Sequence, residues 1–407
     1  MSRAARSTIS CSAAAFLVTG GLAAAGLGVL ATQPATAAST WPAHVFAPYV
    51  DTGLSNTTLT TVAADYGTRY FTLAFVDGSG CQWSLPNQSG WQSQISALQA
   101  EGGDVSISFG GYTVDTDGTD LGATCSSPGA MAAQVESVVT TLGVTHLDFD
   151  IESNEQTNSA DYTLTAQALA QVRSWASANG SQLTISYTLP VLPSGLTQDG
   201  LNVLDAAAAN GFTPNVVNIM TMDYGSSGTE MGSAANQALD AAAGQVASVF
   251  GISTSAAYAM LGNTPMIGQN DTPGEIFTLA DASSVESYAA QQGIALLSFW
   301  SEGRDNGGCP GTTTAESTCS GISQGNGAFT QAFQSFTSGG GGGGPTPPPT
   351  PTPSPTTGSC AAPWNNATAY VSGDQVSYNG ANWTANQWNY DEVPGGPAGA
   401  WNSDGPC

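Results

Sequence analysis

The sequence predicts an α/β protein built from a TIM (β/α)8 barrel and a small, separate all-β module. Between residues 41 and 337, eight short runs of β-branched and aromatic residues alternate with segments of helical period, which is the pattern of such a barrel. A tract of Gly, Pro and Thr follows at 338–359, and residues 360–407 hold four of the nine tryptophans. A doubly wound parallel sheet is the alternative for the large domain, but no GxGxxG motif follows its first predicted strand.

The predicted strands are short apolar runs. They are 44–50, 70–75, 105–109, 146–151, 183–188, 216–222, 265–268 and 294–300. Amphipathic helices are predicted between them, for instance at 131–142, 161–178 and 234–250. Catalytic residues of such barrels lie at the carboxyl ends of the strands. The candidates at those ends are Tyr49, Ser108, Tyr112, Asp148, Asp150, Glu152, Tyr187, Asp223, Tyr224, Gln269 and Trp300.

The charges of the chain restrict its partners. It has 30 Asp and Glu against 5 Lys and Arg, a formal charge of −25, which argues against nucleic acid because Lys and Arg neutralise its phosphates. Carboxylates and aromatic rings dominate the strand ends, and no basic residue is nearer than Arg304, which favours a neutral sugar. With two histidines and no Cys/His spacing typical of a metal site, we predict neither metal nor cofactor. We expect a monomer.

Residues 1–37 have the features of a secretory signal peptide. Arg3 and Arg6 precede an apolar stretch at 13–30, and the segment 35–37 reads ATA, a small-residue cleavage site. A membrane anchor is the alternative, but the apolar stretch is Gly-rich and short for a span. We therefore expect a secreted, extracellular protein with no membrane partner. Residues 41–337 would be its catalytic domain and 338–359 its linker.

Six cysteines remain after the predicted signal peptide, and an even number in an oxidising compartment suggests disulfides. Six cysteines allow fifteen pairings. Proximity along the chain favours Cys81 with Cys125, Cys309 with Cys319, and Cys360 with Cys407.

The segment 148–152, which reads DFDIE, is the most informative of the chain. Alternate residues of a strand share a face, so Asp148, Asp150 and Glu152 point the same way. Three such carboxyls cannot all ionise at low cost, and the pKa of one is pushed up. A carboxyl with a raised pKa at the rim of a barrel can act as a general acid. A solvated acidic edge or a calcium site is the alternative interpretation.

Several segments resemble motifs of the family 18 glycoside hydrolases, the chitinases and their relatives. Residues 145–152 resemble the DxxDxDxE signature, residues 108–111 the SxGG motif of the third strand, and residues 220–224 the MxYD motif of the sixth. Trp300 matches the tryptophan of the eighth strand. Thr145 departs from the first acid of the signature and Met222 from the tyrosine of MxYD; Tyr224 or Tyr187 could replace the missing hydroxyl.

The resemblance implies a retaining, substrate-assisted hydrolysis. Glu152 would protonate the glycosidic oxygen while the N-acetyl carbonyl of the substrate attacks. Asp150 would hydrogen-bond the acetamido group and share a proton with Asp148, which Ser108 would support. Trp300 would form the floor under the reacting sugar. The implied protein is a chitinase that binds chitin or N-acetylglucosamine oligosaccharides; an endo-β-N-acetylglucosaminidase and a catalytically silent chitin lectin remain alternatives.

The segment 360–407 resembles the chitin- or cellulose-binding modules of carbohydrate-binding families 5 and 12. Asn379 and Gly380 predict a hairpin turn between short strands. The resemblance implies that Trp383, Trp388 and Tyr390 bind chitin through stacking on sugar faces.

Only residues 269–274 separate the predicted seventh strand from the helical pattern at 275–292. A loop of this length merely turns the chain. We therefore predict an open, shallow groove and cleavage inside the polymer.

Overall fold

The computed structural model describes residues 41–54, 56–338, 360–366, 369–370, 375–385, 389–390, 392–396 and 400–406. The chain divides into two compact units, one within 1–340 and one within 341–407. The predicted signal peptide and the predicted linker from residue 339 onward lie outside the described residues and stay predictions. Among the described helices, none combines the length and the apolar character that crossing a bilayer requires.

The first unit is a barrel of parallel strands, which confirms the predicted fold class. Its strands, in chain order, are Val45–Phe46 with Tyr49–Asp51, Tyr70–Val76, Asp104–Gly110, His146–Asp150, Thr184–Leu192, Val216–Met220, Leu261–Thr264 and Leu296–Leu297. The first strand is interrupted at Pro48, which has no N–H to donate. Its first half pairs with the eighth strand and its second half with the second strand, so the sheet closes on itself.

Helices follow the strands and cover the outside of the barrel. The longer ones are Leu59–Tyr66, Gln88–Ala100, Pro128–Leu142, Ser159–Ala178, Gln198–Ala209, Met231–Phe250 and Leu279–Gln292. The shorter ones are Tyr112–Asp117, Leu121–Thr124, Ser153–Thr157, Thr254–Tyr258, Ala328–Phe333 and Ser335–Ser338, with 3-10 turns at Ser79–Cys81 and Glu302–Arg304. Local sequence sets their ends. The Ser127 hydroxyl caps Pro128–Leu142, and Gly143 ends that helix in the left-handed conformation.

The core lies between the strands and the helices, and the centre of the barrel is polar. Phe109 and Phe149 point outward from neighbouring strands and stack with ring centroids 4.7 Å apart. Tyr49, Asp148 and Asn218 point inward and are fully buried. The strand alternation thus places the acids of the DFDIE segment inside the barrel.

The seventh strand was predicted at the wrong place. It is Leu261–Thr264, and the predicted segment 265–268 leads into a hairpin in which Gly268–Gln269 pairs with Ile276–Phe277. The following helix begins at Leu279, not at residue 275. The strand was missed because Gly262 and Asn263 are poor strand formers. A Cβ on Gly262 would lie 2.7 Å from the Asn218 side chain of the adjacent strand, so glycine is required there.

Disulfides join Cys81 to Cys125 and Cys309 to Cys319, as predicted. Cys360 is also disulfide-bonded. Its predicted partner, Cys407, lies outside the described residues, so this pairing stays a prediction.

The second unit contains short antiparallel strands. They are Ala369–Tyr370, Gln375–Tyr378, Ala381–Ala385, Asn389–Tyr390 and Trp401–Pro406. Asn379 and Gly380, both with positive φ, form the predicted two-residue turn. Trp401 is buried in the core of the module, and Trp364 and Trp383 pack against it partly buried.

Candidate active site

The strand His146–Asp150 carries the acids of the candidate site. It pairs with the third strand, which places Ser108 beside Asp148, and with the fifth strand, which places Ser186 on its other side. Glu152 follows the strand at its carboxyl end and is the N-cap residue of helix Ser153–Thr157. The three predicted catalytic carboxyls therefore lie along one line from the barrel centre to its rim.

Asp148 accepts a hydrogen bond from each of four hydroxyls. Ser108 and Tyr49 donate to Oδ2 at 2.7 and 2.8 Å, and Ser186 and Thr188 donate to Oδ1 at 2.5 and 2.8 Å. Burial raises the pKa of Asp148, and the four donors oppose this effect. Because every donor favours the ionised form, we assign the negative charge of the barrel centre to Asp148.

Asp150 lies one step closer to the rim and has a different environment. It is buried, and its Oδ1 has no hydrogen-bond partner. Burial first, and then the charges of Glu152 and Asp148, raise its pKa well above the usual range. These surroundings favour the neutral form of the Asp150 carboxyl. The expected shared proton does not appear as a hydrogen bond to Asp148, whose two oxygens each already accept two hydroxyls.

Glu152 has the properties of a general acid. Burial, with a contribution from the charge of Asp223, raises its pKa to about 7, while the backbone N–H of Tyr112 opposes the shift. The Glu152 backbone N–H donates to Asp115 Oδ2 at 2.7 Å, which fixes the turn that carries the side chain. A carboxyl that is half protonated near neutral pH can deliver a proton and take it back.

The two glycines of the SFGG segment allow the chain to approach the acids closely. Both have positive φ. A Cβ on Gly110 would lie 2.4 Å from the Asp150 carbonyl oxygen, and a Cβ on Gly111 would lie 2.7 Å from the Phe75 ring. These contacts exclude any larger residue at either position.

Trp300 follows the eighth strand, at the same carboxyl end of the barrel as Glu152. Its ring is half-buried and stacks on Phe75 with centroids 5.6 Å apart and planes inclined by 16°. Tyr49 contacts it from below at 6.0 Å. An aromatic face supported in this way, at the end of the barrel that carries the acid, is suited to bind the apolar face of a sugar.

Three other predicted site residues also lie at this end of the barrel. Tyr112 is 66 % exposed, so its ring is free to contact a substrate. Asp223 is exposed with a positive φ, and its Oδ1 accepts the backbone N–H of Thr272. Tyr49 is buried, so its hydroxyl supports Asp148 rather than reaching a substrate.

The prediction that Tyr187 binds substrate is wrong. It lies in register with Phe149, so both side chains point away from the barrel centre. Tyr187 is fully buried, and its ring packs 5.4 Å from Phe212. One residue along the strand, Thr188 points inward and binds Asp148.

Tyr224 and Gln269 are also structural. The Tyr224 hydroxyl is buried and its ring packs on the barrel core, so neither Tyr224 nor Tyr187 replaces the hydroxyl absent at Met222. The Gln269 side chain is buried and donates to the carbonyl oxygens of Asn270 and Thr272, which stabilises the hairpin.

The site in the small module is only partly described. Trp383 is half-buried, and its indole N–H donates to the Tyr378 carbonyl, so one edge of this ring is fixed in the module. Trp388 lies outside the described residues, and of Tyr390 only the backbone is described. Their role in chitin binding stays a prediction.

A barrel with a general acid at the rim, a line of buried carboxyls behind it and a supported aromatic floor defines a glycoside hydrolase. The sequence profile of Glycosyl hydrolases family 18 matches residues 44–268, more than half of the chain. The chain therefore belongs to family 18 of the glycoside hydrolases. The profile of Carbohydrate-binding module family 5/12 matches residues 363–402 and agrees with the resemblance of the second unit.

Two curated relatives are similar to the chain. The "Probable bifunctional chitinase/lysozyme" of Escherichia coli K12 is 35 % identical over an alignment of 319 residues, and the match covers 73 % of this chain and 35 % of that protein. "Endochitinase 11" of Metarhizium anisopliae is 36 % identical over 281 residues, 65 % of this chain and 53 % of that protein. The chain thus spans about a third and about half of the length of these relatives.

Solved structures of a chitinase from Pyrococcus furiosus share the fold. Its catalytic domain is 32 % identical, with a TM-score of 0.67, over 75 % of this chain and 98 % of that one. Catalytic site mutants of its active domain 2, complexed with chito-oligosaccharides, have a TM-score of 0.66 at 32 % identity and cover 74 % of this chain and 97 % of that one.

Proposed function

We propose that this protein is a secreted chitinase that hydrolyses β-1,4 linkages between N-acetylglucosamine units with retention of configuration. The observation that carries the proposal is Glu152, a carboxyl at the barrel rim whose pKa burial raises to about 7, with Trp300 at the same carboxyl end of the barrel strands. The names of the relatives, two chitinases and a chitinase catalytic domain, support chitin as the substrate.

The state of Asp150 favours a substrate-assisted mechanism. A double displacement by two protein carboxyls needs an ionised nucleophile that can reach the anomeric carbon. Asp150 is buried, and its surroundings raise its pKa and favour the neutral form, so it is a poor nucleophile. It can instead bind the acetamido group of the substrate and orient it, while the carbonyl oxygen of that group attacks the anomeric carbon.

The steps then follow from the positions of the groups. Glu152 protonates the glycosidic oxygen as the C–O bond breaks, and the acetamido oxygen closes an oxazolinium ring. Asp148, ionised among its hydroxyl donors, stabilises the positive charge that develops. The Glu152 carboxylate then takes a proton from a water molecule, and the oxygen of that water attacks the anomeric carbon from the face that the leaving group has left. This attack opens the oxazolinium ring, retains the configuration and leaves Glu152 protonated again.

One experiment separates this proposal from its alternatives. The full chain is incubated with colloidal chitin and, separately, with a high-mannose glycoprotein, and reducing ends are counted. We expect release from chitin alone, and NMR of the first product from soluble chito-oligosaccharides should show the β-anomer. Cleavage of the glycoprotein instead would identify an endo-β-N-acetylglucosaminidase. Chitin binding without turnover would identify a lectin. An initial α-anomer would contradict retention.

We propose that the small module holds the enzyme on solid chitin. Binding of one unit to the solid raises the effective concentration of substrate at the other. A chain that ends at residue 338 should therefore hydrolyse soluble oligosaccharides at the rate of the full chain but degrade insoluble chitin more slowly. The variant Trp388→Ala of the full chain should bind chitin more weakly than the wild type and should also degrade insoluble chitin more slowly. Equal degradation of insoluble chitin by all three proteins would contradict this role.

Two further parts of the proposal concern secretion and the groove. For secretion, the protein collected from the culture medium should begin near Ala38, and mass spectrometry of the intact chain will show this.

For the groove, residues 265–278 are the whole connection after the seventh strand and form a small hairpin, which is too short to build a tall wall. The viscosity of a soluble chitin derivative should therefore fall steeply while few reducing ends have appeared; slow viscosity loss with early disaccharide would indicate a closed groove.

A further inference from the structure

A second group of buried acids lies behind the catalytic acid. Asp115 belongs to helix Tyr112–Asp117, Asp120 precedes helix Leu121–Thr124, and Glu155 belongs to the helix that follows Glu152. All three are buried, and one oxygen of each lies within 4.8 Å of the other two. Three separate segments of the chain thus bring carboxyl oxygens to one point.

Two oxygens of this group have no hydrogen-bond partner. They are Asp115 Oδ1 and Asp120 Oδ2, both of side chains more than nine-tenths buried. Glu155 Oε1 accepts from the Thr165 hydroxyl at 2.9 Å, and Asp120 Oδ1 accepts from the Ala123 N–H at 2.7 Å. A buried polar atom without a partner is costly, so these two oxygens indicate an additional ligand.

There is space for a ligand of one atom. A cavity of about 10 Å³ is lined by Gly110, Asp120, Gly122 and Glu155, two of which are acids of this group, and by the apolar side chains of Val76, Phe109, Leu121, Met131 and Phe149. A Cβ on Gly122 would lie 3.0 Å from Asp120 Oδ1 and 3.1 Å from Glu155 Oε1. A Cβ on Gly110 would lie 3.0 Å from Asp115 Oδ1. Both glycines therefore leave room beside carboxyl oxygens of this group.

The described part of the chain supplies no cation to this group. It contains three arginines and no lysine. Arg69 pairs with Glu101 at 3.5 Å, Arg173 donates to the Thr213 carbonyl, and Arg304 donates to the Gln269 carbonyl. Three carboxylates without a positive partner need either protons or a bound cation.

We propose that Asp115, Asp120 and Glu155 bind one divalent cation of the size of calcium. Two oxygens bound about 2.4 Å from one calcium ion are at most about 4.8 Å apart, so the separations within this group are compatible with calcium–oxygen distances; magnesium requires about 2.1 Å in a near-ideal octahedron. Carboxylates and water are the ligands that calcium prefers. The site goes beyond the proposed hydrolysis and does not depend on which substrate the barrel cleaves.

The ion would also fix the turn that carries Glu152. Asp115 would bind it through Oδ1 and at the same time accept the Glu152 backbone N–H through Oδ2. Glu155 lies in the helix that begins next to Glu152. Asp115 is thus joined to the backbone of the catalytic acid by one hydrogen bond, and Glu155 is one helical turn away from it. Both are therefore positioning residues.

Calcium binding is measured on the full mature chain after treatment with EDTA and buffer exchange. Calorimetric titration with calcium chloride should show one site, with a dissociation constant on the order of 10⁻⁶ to 10⁻⁵ M. In 1 mM calcium chloride the Tm of the barrel should rise by about 5 °C. Magnesium chloride at the same concentration should give less than a third of this rise.

The variant Asp120→Asn is the sharpest test, because an amide oxygen can still cap Ala123 while one charge is lost. Its affinity for calcium should fall by about 100-fold. Asp205→Asn, the same change at an exposed helical position, is the matched control and should bind calcium like the wild type. Hydrogen exchange of the Glu152 amide should slow in calcium in the wild type and in the control, but not in Asp120→Asn.

One result would contradict cation binding altogether, and another would contradict only the choice of calcium. Without an ion, burial raises the pKa of Asp115 to about 10, so the cluster would simply hold protons. In that case calcium would change neither Tm nor hydrogen exchange, Asp120→Asn would match the wild type or exceed it in Tm, and the proposal would be wrong. An equal or larger response to magnesium would overturn the choice of calcium. Because none of these measurements uses hydrolysis, they leave the proposed function untouched.

Discussion

Asp148 and the group of Asp115, Asp120 and Glu155 are all buried, but Asp148 has many more hydrogen-bond donors around it. Asp148 accepts four hydroxyl hydrogen bonds, whereas Asp115 Oδ1 and Asp120 Oδ2 accept none. The first arrangement holds an anion without any cation, because the donors replace the water that burial removes. The second cannot do so. The comparison teaches that burial alone does not define the role of an acid; the hydroxyls around it decide.

The largest expected effect distinguishes the acid that reacts from the acids that support it. Glu152→Gln should lower kcat on chito-oligosaccharides by about 10² to 10⁴-fold, because a general acid contributes that much and an amide cannot donate a proton to the leaving group. Initial rates on a soluble chito-oligosaccharide, with Asp205→Asn as control, will measure this. If more than a tenth of the activity remained, another group would have to be the acid.

The donors to Asp148 should have the next largest effect. Ser108→Ala removes one hydrogen bond to a buried anion and should cost about 1.5–3 kcal/mol, or about 10- to 100-fold in kcat. Ser106→Ala is the matched control, since Ser106 lies on the same strand and face and makes no hydrogen bond to Asp148. Similar kcat values for the two variants would show that donors do not hold the charge of Asp148.

Glu302 extends the comparison to an acid with a single hydroxyl donor, Thr330 at 3.0 Å. Burial, and then the charge of Asp305, raise the pKa of Glu302 to about 8. Its pKa in the unfolded chain is about 4.3, so its contribution to stability is complete below that value and is lost as the pH rises towards 8.

Glu302→Gln should remove this dependence. Between pH 5 and pH 9 the Tm of the wild type should fall by about 3–6 °C more than that of the variant, which thermal unfolding at the two pH values will show. The other buried acids are common to both proteins, so their contributions cancel when the two changes in Tm are compared. Parallel pH curves would mean that Glu302 is ionised in the folded protein.

The smallest expected effect concerns the pH profile. Glu152 must be protonated to act as an acid, so kcat/KM should fall as the pH rises through about 7. Asp223→Asn removes a negative charge that raises the pKa of Glu152, so this alkaline limb should move to lower pH. A limb that moves to higher pH, or does not move, would show that Asp223 does not act on the acid through its charge.

The sequence predicted what depends on strand alternation and missed what depends on loops. The line of carboxyls and the barrel follow from the period of two and from the order of strands and helices. The same parity could have excluded Tyr187 and selected Ser186 and Thr188, had the fifth strand been aligned with the fourth. Tyr224 was misjudged because it follows a strand, and no periodicity fixes the direction of a side chain there.

The second acidic group could not be predicted from the sequence. Asp115 and Glu155 belong to two short helices and Asp120 caps a third, so their oxygens meet only through the packing of these three segments. The spacing of the three residues matches no binding motif. A weak signal exists in Gly122, a glycine inside a helix, where it costs stability unless it leaves room for something.

The positions of the arginines bear on the resistance of the folded protein to proteolysis. Trypsin cleaves after Lys and Arg, and only where the chain can open locally. Arg304 is fully buried, and Arg173 is held over the Phe212 ring within a long helix. Of the arginines in the described part of the barrel only Arg69 is exposed, and it lies immediately before the strand Tyr70–Val76. The folded barrel should therefore survive trypsin-like proteases that would digest a lysine-rich protein.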